Sequence, residues 1–347
     1  MNEKEKIRIT GYTGSKGKEY IVLHIKKFRL LMENFVAPNL NLLKKIGIIL
    51  DFCICVVLYG AGINDYFQYN FYRRKHSDRK NFIVGRKWKK IIRVCNKKIN
   101  QKEFDDKCKF NYIYSEYLGR EWLDMDSCEF DAFDEFMKKH SVAISKIKNG
   151  SGGNGINIIK YEKEDNEILY KKLKKQHVIV EEVLTQCDEL KKFNPESVNT
   201  LRVVTIVVDN TDVRIMNAVM RMGNGKKCTD NFHHHGLAAL VDEKTGIIVT
   251  PAIDKSNNQY YYHPRTGYQI IGYQIPNWES IIETVKSAAL VKPEIRYVGW
   301  DIALDKNGKV CIIEGNCASD PDITQMPDQI GKWPKYNKVL KELDKQE

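Results

Sequence analysis

Three oxygen-bearing side chains near the C-terminal end of the chain have the spacing of a cation site. Asp301 lies within the apolar run Tyr297–Leu304. Glu314 and Asn316 lie two residues apart in the next apolar run, so on a strand they share a face. Such oxygens suit Mg²⁺ or Mn²⁺ better than a soft metal, and Mg²⁺ is commonly held by one or two carboxylates together with substrate phosphates. The pattern predicts a metal site that serves a nucleotide, although solvated acids on a surface hairpin would have the same spacing.

A tight hairpin is the element that would position these side chains. Residues 305–308 read Asp-Lys-Asn-Gly, and an Asn-Gly pair favours a turn that needs positive φ. We therefore expect antiparallel strands at Tyr297–Leu304 and 309–314, with Asp301 close to the two later side chains.

A second hairpin carries glycines at its tip. Its incoming strand, 142–147, contains Lys146, and residues 148–155 read KNGSGGNG. Glycine lets backbone N–H groups approach and surround an anion, so the tip is a candidate phosphate-binding loop with a cation beside it. A P-loop is excluded, because no Gly-Lys-Ser/Thr follows and a strand comes next. A plain flexible turn would have a similar composition.

Two further segments place charge in apolar surroundings. One apolar strand ends in the adjacent acids Glu181 and Glu182. Another, at 200–209, contains Arg202, and the strand after it contains Arg221. Because a buried arginine needs an anionic partner, these strands indicate a charged site rather than a purely structural sheet.

The composition is that of a folded, strongly basic protein. The chain has 347 residues, of which 42% are hydrophobic and 29% charged, and its net charge is +11 with a pI near 9.0. This fits two domains or one large multi-lobed domain. The charge suits a polyanionic partner such as a nucleotide, a sugar-phosphate carrier or an anionic membrane surface, and a generally lysine-rich composition would also produce it. Lysine far outnumbers arginine and no RNA-binding motif is present, which argues against nucleic acid.

Cysteine and histidine usage gives no soft-metal site. The nine cysteines are odd in number and form no Cys-x-x-Cys pair, which argues against a zinc ribbon and a disulfide framework and for a reducing compartment. Three consecutive histidines at 233–235 do not share a face, so no metal site is predicted there. The first 20 residues lack the apolar core of a signal peptide. We therefore expect a cytoplasmic protein.

The N-terminal region is predicted to be mainly helical. The run 46–63 is near the minimum length for a membrane span, but it contains Asp51 and ends in glycines, so we expect a buried or interfacial helix with at most peripheral membrane contact. The aromatic stretch 64–72 is expected to be a packing surface first. The basic stretch 73–90 is either a solvated helix face or a surface that faces an anionic, lipid-linked sugar. Helical structure is also expected over 101–140.

From about Asp106 to Asn316 the sequence resembles an ATP-grasp protein, in particular the sugar-transfer-associated branch found in bacterial polysaccharide gene clusters. The matching segments are DKCKF, SKIKNGSGGNGI, VIVEEVLTQ, NPESVNTLRVVT, HPRTG…IPNW and VGWDIAL…IIEGN, with NDYFQYNFY upstream. The combination of ESVNTLR with GWD…EGN is the specific part. The resemblance implies an α+β ATP-grasp fold with two α+β lobes that clamp ATP: a helical region at 1–105, a small lobe with the lid hairpin at 106–190, and a large lobe with the metal site at 191–347.

The resemblance also implies which residues bind ATP. Lys107 and Lys146 resemble the two lysines that hold the α- and β-phosphates. The strand end formed by Glu181, Glu182 and Val183 resembles the hinge whose backbone meets adenine. The lid loop over the phosphates corresponds to Gly150, Ser151, Gly152 and Gly153.

Other matched positions concern the reacting groups. Arg202 and Arg221 resemble the arginines beside the γ-phosphate and the acyl oxygens. Asp301, Glu314 and Asn316 resemble the Mg²⁺ ligands.

Three positions in the match are less regular. Glu189 fits the ribose-binding acid, although Asp188 competes with it. The chain departs from the family pattern at Ile147, where proline commonly follows the lysine, and at His235-Gly236, where two glycines are common. We expect the local substrate loop to differ accordingly.

The implied activity is that of an ATP-dependent carboxylate–amine ligase that uses ATP and Mg²⁺, with Mn²⁺ as an alternative. An acylphosphate forms first, and an amine then displaces phosphate to give an amide. The expected substrates are a small carboxylate and an amine, one of them a sugar acid that is free, nucleotide-linked or lipid-linked. The alternatives are a ligase that joins amino acids to a peptide or protein, a phosphotransferase with a hydroxyl acceptor, and a non-catalytic nucleotide-binding partner of a glycosyltransferase assembly. The complete set of lysines, arginines and oxygen ligands favours catalysis.

Overall fold

A computed structural model describes residues 18–96, 98–150, 155–225 and 236–345 of the chain. Within these ranges the chain forms two compact units. The first comprises residues 18–90 and Asp328–Pro334, and the second comprises residues 91–327 and 335–345.

Helices form the first unit, as predicted. In chain order they are Lys18–Phe35, Leu42–Tyr59, Ile63–Gln68, His76–Arg79 and Gly85–Cys95, which extends past the unit's last residue, with a 3₁₀ turn at Phe71–Arg73. Asn41 caps the second helix by accepting a hydrogen bond from the N–H of Lys44 (2.9 Å), and Gly60 ends it in the left-handed region with φ of 70°. Among the described residues, none of the helices is both long enough and apolar enough to cross a membrane.

The aromatic stretch 64–72 supplies the core of this unit. Tyr66, Phe67 and Phe71 have no exposed surface. The rings of Tyr66 and Phe67 meet edge to face with their centroids 5.2 Å apart. Phe71 makes the same kind of contact with Phe82, which lies outside the stretch, at 5.5 Å, and aromatic pairs favour this geometry. The prediction that this stretch is a packing surface is confirmed.

A four-stranded antiparallel sheet forms one part of the second unit. Its strands are β1 (Trp122–Asp124), β2 (Val142–Ile147), β3 (Asn157–Lys160) and β4 (Val178–Glu182), in the spatial order β1-β4-β2-β3. The helices Phe130–His140 and Asn166–Lys175 contribute Phe133, Met137 and Leu173 to the core below it. The predicted hairpin strand 142–147 is confirmed, whereas the prediction of helix throughout 101–140 is wrong at β1. This strand of three residues is too short to show an alternating pattern.

A seven-stranded antiparallel sheet forms the other part of the second unit, in the spatial order β11-β10-β5-β6-β7-β8-β9. Its strands are β5 (Thr200–Val207), β6 (Val213–Met222), β7 (Leu237–Val241), β8 (Ala252–Ile253), β9 (Gln259–Tyr260), β10 (Tyr297–Leu304) and β11 (Val310–Asn316). The helix Trp278–Val291 buries Ile281 and Val285 against it. The predicted hairpin of β10 and β11 is present, and Gly308 in its turn has φ of 77°.

Short helices complete the second unit. They are Lys98–Asp105, Lys107–Ile113, Asp188–Lys191, Asp322–Gln325 and Trp333–Leu343, with a 3₁₀ turn at Ser115–Tyr117. The first two residues of the last helix belong to the first unit. The two sheets with their helices confirm the α+β class. The first sheet lies within 106–190 and the second within 191–347, although the lobe boundaries themselves remain a prediction.

Arg120 joins the two sheets. Its Nε lies 3.0 Å from Oε2 of Glu181 on β4, and its two terminal nitrogens donate to the carbonyl oxygens of Ile312 (2.8 Å) and Ile313 (3.1 Å) on β11. Glu181 also accepts a hydrogen bond from Nζ of Lys146 (2.6 Å). The side chains of Arg120 and Glu181 are each 3% exposed. Burial alone would raise the pKa of Glu181, but Arg120 and Lys146 outweigh it and hold that pKa well below its usual range.

We expect Glu181→Gln to lower the free energy of unfolding at pH 7 by about 3–5 kcal/mol, because it leaves buried cations without their anion. Since the folded-state pKa of Glu181 is depressed, its contribution is complete above the ordinary glutamate pKa of about 4.3 and declines as the pH falls below it. Urea unfolding between pH 3 and pH 7 should therefore show the difference between wild type and variant shrinking in acid.

Glu182→Gln is the matched control, because Glu182 is partly exposed at the end of the same strand and accepts a hydrogen bond from the N–H of Glu121 (3.1 Å). It should change stability little. An equal and pH-independent effect of both variants would contradict the role given to the buried pair.

Candidate active site

Asp301 lies at the centre of a charged site on the large sheet. Its strand β10 runs between β5 and β11, so Asp301 faces Arg202 on one neighbour and Glu314 on the other. Nε of Arg202 donates to one oxygen of Asp301, its terminal Nη2 donates to the other (3.0 Å), and Nη1 of Arg221 donates to that second oxygen as well (2.7 Å). Asp301 is 4% exposed. Each of the two predicted buried arginines has thus found the same anionic partner.

The pKa values of the two acids of this site, Asp301 and Glu314, are shifted in opposite directions. Burial would raise the pKa of Asp301, but Arg202 and Arg221 outweigh it and lower that pKa strongly. Burial raises the pKa of Glu314, and the negative charge of Asp301 raises it further, against the opposing effects of Arg202 and Lys107. Glu314 is therefore the carboxylate that additional positive charge would stabilise most.

A bulge in β11 aims Glu314 at this site. Ile302 pairs with Ile312 and Asp301 pairs with Glu314, so Ile313 is skipped in the ladder. Residues directly opposite each other share a face, and Ile302 and Ile312 are both fully buried in the core. The bulge therefore turns Glu314 to the face opposite Ile312, although the two are only two residues apart.

The oxygen donors fit a hard cation. Asp301 accepts three hydrogen bonds from the arginines and makes a further side-chain hydrogen bond with Glu314. Since a carboxylate has about four acceptor positions, the position that faces Glu314 is the one a cation would take. Glu314 has the raised pKa of an undercompensated carboxylate. Asn316 accepts a hydrogen bond from the N–H of Ala318 (2.9 Å) and retains its second lone pair. Among the described residues no group of three or more His, Cys, Asp and Glu side chains could hold a metal ion, so the predicted site depends on its amide.

Two lysines from the small-sheet side complete the site. Lys107 is the first residue of its helix, whose N-terminus is capped by the carboxylate of Asp106, and its Nζ donates to the carbonyl oxygen of Gly150. Burial lowers the pKa of Lys107, while the nearby Glu314 raises it and Lys146 lowers it. We use the term charged cluster for the following set, which the structure brings together: Lys107, Lys146, Glu181, Arg202, Arg221, Asp301 and Glu314.

Some predicted site residues lie apart from this cluster or outside the description. Glu182 ends β4, and Val183 after it is 37% exposed. Glu189 is exposed on a short helix, and its competitor Asp188 pairs with Lys191 (2.8 Å). Ser151, Gly152 and Gly153 of the predicted lid lie outside the described ranges, as do the histidines at 233–235. Of the pair His235-Gly236, where the chain departs from the family pattern, only Gly236 is described.

Sequence reasoning missed the network that fixes the start of β5. Oε1 of Gln186 accepts hydrogen bonds from the backbone N–H (3.0 Å) and the side-chain amide (3.1 Å) of Asn199. Nε2 of Gln186 donates to the carbonyls of Asn194 (2.9 Å) and Ser197 (2.7 Å). All four residues are buried. The network explains the segment ESVNTLR, because Asn199 anchors the strand that carries Arg202 three residues later.

Sequence reasoning also missed Arg120, whose only signal was an isolated arginine between a glycine and a short apolar segment. The glycines of GWD…EGN, by contrast, have a steric reason. A Cβ at Gly299 would lie 2.4 Å from Oγ of Ser319, which accepts a hydrogen bond from Arg202 (2.9 Å). A Cβ at Gly315 would lie 2.7 Å from the ring of Phe104. Both distances are shorter than packed atoms allow.

Comparison with solved structures finds ATP-grasp enzymes at low identity. The ATP-grasp ligase PsnB, in complex with a minimal precursor, is 14% identical with a TM-score of 0.44, and the match covers 71% of this chain and 64% of PsnB. The D-alanyl-alanine synthetase A of Vibrio cholerae is 11% identical with a TM-score of 0.41, and the match covers 70% of this chain and 66% of the synthetase. The match thus spans somewhat less than two thirds of the length of PsnB. Comparison with curated protein sequences finds no match.

The sequence comparison with protein families is decisive. Residues 86–341 match the family described as sugar-transfer associated ATP-grasp. The match includes both sheets and every residue of the charged cluster. The chain therefore belongs to the sugar-transfer associated ATP-grasp family.

Proposed function

We propose that the protein is an ATP-dependent carboxylate–amine ligase. The observation that carries this proposal is the charged cluster, in which Arg202 and Arg221 meet Asp301 beside Glu314 and Lys107. Concentrated, partly balanced charge of this kind suits a reaction that transfers a phosphoryl group, where catalysis depends on positioning and on neutralising negative charge. Family membership supports ATP as the phosphoryl donor.

The nucleotide would bind between lysines that already have partners. Lys146 is paired with Glu181, and Lys107 is bonded to the carbonyl of Gly150. We assign both lysines to the α- and β-phosphates, and the backbone at the end of β4, from Glu181 to Val183, to adenine. The remaining assigned ATP-binding residues are Gly150, Ser151, Gly152, Gly153 and Glu189.

Asp301, Glu314 and Asn316 would hold Mg²⁺ or Mn²⁺. Bound there, the cation would neutralise phosphate charge, which is its usual contribution to phosphoryl transfer. Glu314 gains most, because its carboxylate is partly buried and lies next to the negative charge of Asp301. Arg202 and Arg221 hold Asp301 in place through hydrogen bonds from the side of β10 that lies away from Glu314.

The proposed chemistry has two steps. A carboxylate oxygen of the substrate attacks the γ-phosphorus, and the bond between that phosphorus and the bridging oxygen breaks. ADP departs, and the substrate has become an acylphosphate. An amine then attacks the acyl carbon, phosphate departs, and the nitrogen loses a proton to give an amide. Arg202 and Arg221 lie in the buried part of the cluster, where their charge would offset the negative charge that develops on the phosphoryl and acyl oxygens.

The family description supports a choice of substrate class. We propose that one substrate is a sugar acid of a surface polysaccharide, free or linked to a nucleotide or lipid, and that an amino acid or another amine is joined to it. The eight described cysteines are all free thiols, which supports a cytoplasmic site of action.

We expect ATP with Mg²⁺ to yield ADP only when a matching acid and amine are both supplied. A panel of sugar acids and amino acids, each combined with a pool of amines, would identify the pair. Glu314→Gln should lower the rate of ADP release about 100-fold or more, because it removes the charge on a proposed cation ligand but keeps the shape of the side chain.

Glu279→Gln is the matched control, since Glu279 is exposed on the helix Trp278–Val291, and it should keep full activity. Tight ATP binding without turnover for any pair would favour a non-catalytic nucleotide-binding partner. ADP release with a peptide instead of a sugar acid would favour a peptide ligase.

We expect Lys107→Met to weaken binding of ATP with Mg²⁺ about tenfold or more, because a charged hydrogen bond to phosphate contributes about 1.5–3 kcal/mol. Burial lowers the pKa of Lys107, so its charge is lost at a lower pH than that of an ordinary lysine. Wild-type affinity should therefore fall as the pH rises into the alkaline range, and the variant should lack this dependence. Isothermal titration calorimetry measures both effects.

Lys109→Met serves as the control on the same helix, because Lys109 is exposed. It should leave the affinity and its pH dependence unchanged. If both variants bind ATP as the wild type does, Lys107 does not contact phosphate.

A further inference from the structure

The excess of positive over negative charge lies in the N-terminal quarter of the protein. Residues 1–90 contain 19 Lys and Arg against seven Asp and Glu, whereas residues 91–347 contain 37 against 38. The part of the chain that carries the charged cluster is thus nearly neutral. A strong charge asymmetry between two parts of a chain indicates that the charged part has an electrostatic partner of its own.

The same unit exposes a concentration of large apolar side chains. Leu43 is 80% exposed, Leu42 72% and Val57 70%. The exposed apolar residues of its first two helices are Tyr20, Ile21, Val22, Ile25, Leu42, Leu43, Ile46, Ile49, Leu50, Ile54, Val56, Val57 and Leu58. We call this set the apolar face. It contains 13 of the 23 large apolar residues that are exposed among the described residues, and such concentration marks an interaction surface.

The only acid of the helix Leu42–Tyr59 is turned away from the apolar face. Asp51 accepts two hydrogen bonds from Arg79 (both 2.8 Å) and one from the hydroxyl of Tyr66 (2.8 Å). Phe52 on the same helix packs against the rings of Phe28 and Tyr66, with centroids 5.0 and 5.4 Å away. One side of the helix is therefore packed and neutralised inside the unit, and the other side is left apolar.

Basic residues adjoin the apolar face. Lys44 and Lys45 follow its most exposed leucines, and Lys26, Lys27 and Arg29 follow its first helical segment. A groove of about 970 Å³ opens between the two helices and is lined mainly by aliphatic and aromatic side chains. Lys27, Arg29 and Lys45 also line it. Apolar side chains bordered by cations are the composition of a helix that lies in the headgroup region of an anionic bilayer.

We propose that the apolar face binds the surface of a membrane that contains anionic lipids, with the helix Leu42–Tyr59 lying along the interface. The apolar side chains enter the boundary between headgroups and acyl chains, and the adjoining lysines and arginines contact the anionic headgroups. A nucleic acid offers the negative charge but no apolar layer to cover the leucines. This attachment is independent of the ligase activity, and it would hold the protein where lipid-linked acceptors are found.

Co-flotation of the full-length protein with vesicles tests the proposal. Vesicles of phosphatidylcholine with 30% phosphatidylglycerol, a composition of our choosing near that of anionic membranes, should carry the protein, and pure phosphatidylcholine should carry much less. Binding should weaken as salt is raised, because salt screens the headgroup charge.

Substitutions separate the contribution of the apolar side chains to membrane binding from that of the lysines. Leu43→Gln with Val57→Gln should reduce partition about tenfold or more, and Lys44→Gln with Lys45→Gln about fivefold for each lysine. The matched controls lie on exposed surface of the second unit: Ile158→Gln with Ile168→Gln, and Lys172→Gln with Lys175→Gln. They should float as the wild type does. Circular dichroism and ATP binding verify that each variant is folded.

Three results would overturn the proposal. The first is no flotation with anionic vesicles. The second is flotation that all four variant pairs share, which would mean that the apolar face is not the contact. The third is a dimer in light scattering that Leu43→Gln with Val57→Gln converts to a monomer, which would mean that a second copy of the chain covers the face.

Discussion

The pairing of Asp301 with two arginines is the interaction on which the rest of the site depends. Arg202 comes from β5, next to β10, and Arg221 comes from β6, one strand further. Both donate to the carboxylate of Asp301, which offsets their buried charge. Removing Asp301 would leave two buried arginines without their shared anion, which is more costly than the net gain from the pairing. The sheet and the site are therefore inseparable: the ions that hold three strands in register are the ions that we assign to catalysis.

Contacts within the protein also preorganise Lys146 and Lys107, the two lysines that we assign to phosphate binding. Lys146 and Lys107 are held by Glu181 and by the carbonyl of Gly150. These contacts keep each lysine extended toward the cluster and reduce the side-chain entropy that binding would otherwise remove. In the proposed site the same contacts would compete with the nucleotide, so the affinity for ATP would measure the difference between two sets of partners rather than the strength of one.

The sequence predicted much of this arrangement, because alternation, turn residues and buried charges leave local signals. β10 and its turn were predicted from an apolar run followed by Asn-Gly, and the need of Arg202 for an anion was evident from its apolar neighbours. The pairing of Glu314 with Asp301 was predicted from the hairpin, but the bulge that makes it possible was not accessible in this way. Regular alternation from the buried Ile312 would place Glu314 in the core, and only the pairing register reveals the skipped residue. The role of Arg120 depends on contacts between segments some 190 residues apart, which no local pattern records.

Arg120 has a consequence for motion within the second unit. One guanidinium binds Glu181 on the small sheet and the carbonyls of Ile312 and Ile313, which form the bulge that aims Glu314. A shift of the small sheet must therefore either stretch these hydrogen bonds or pull the bulge with it. The small sheet and the carboxylate of Glu314 are mechanically linked through a single planar group, so a shift of that sheet and a change in the orientation of Glu314 would occur as one event.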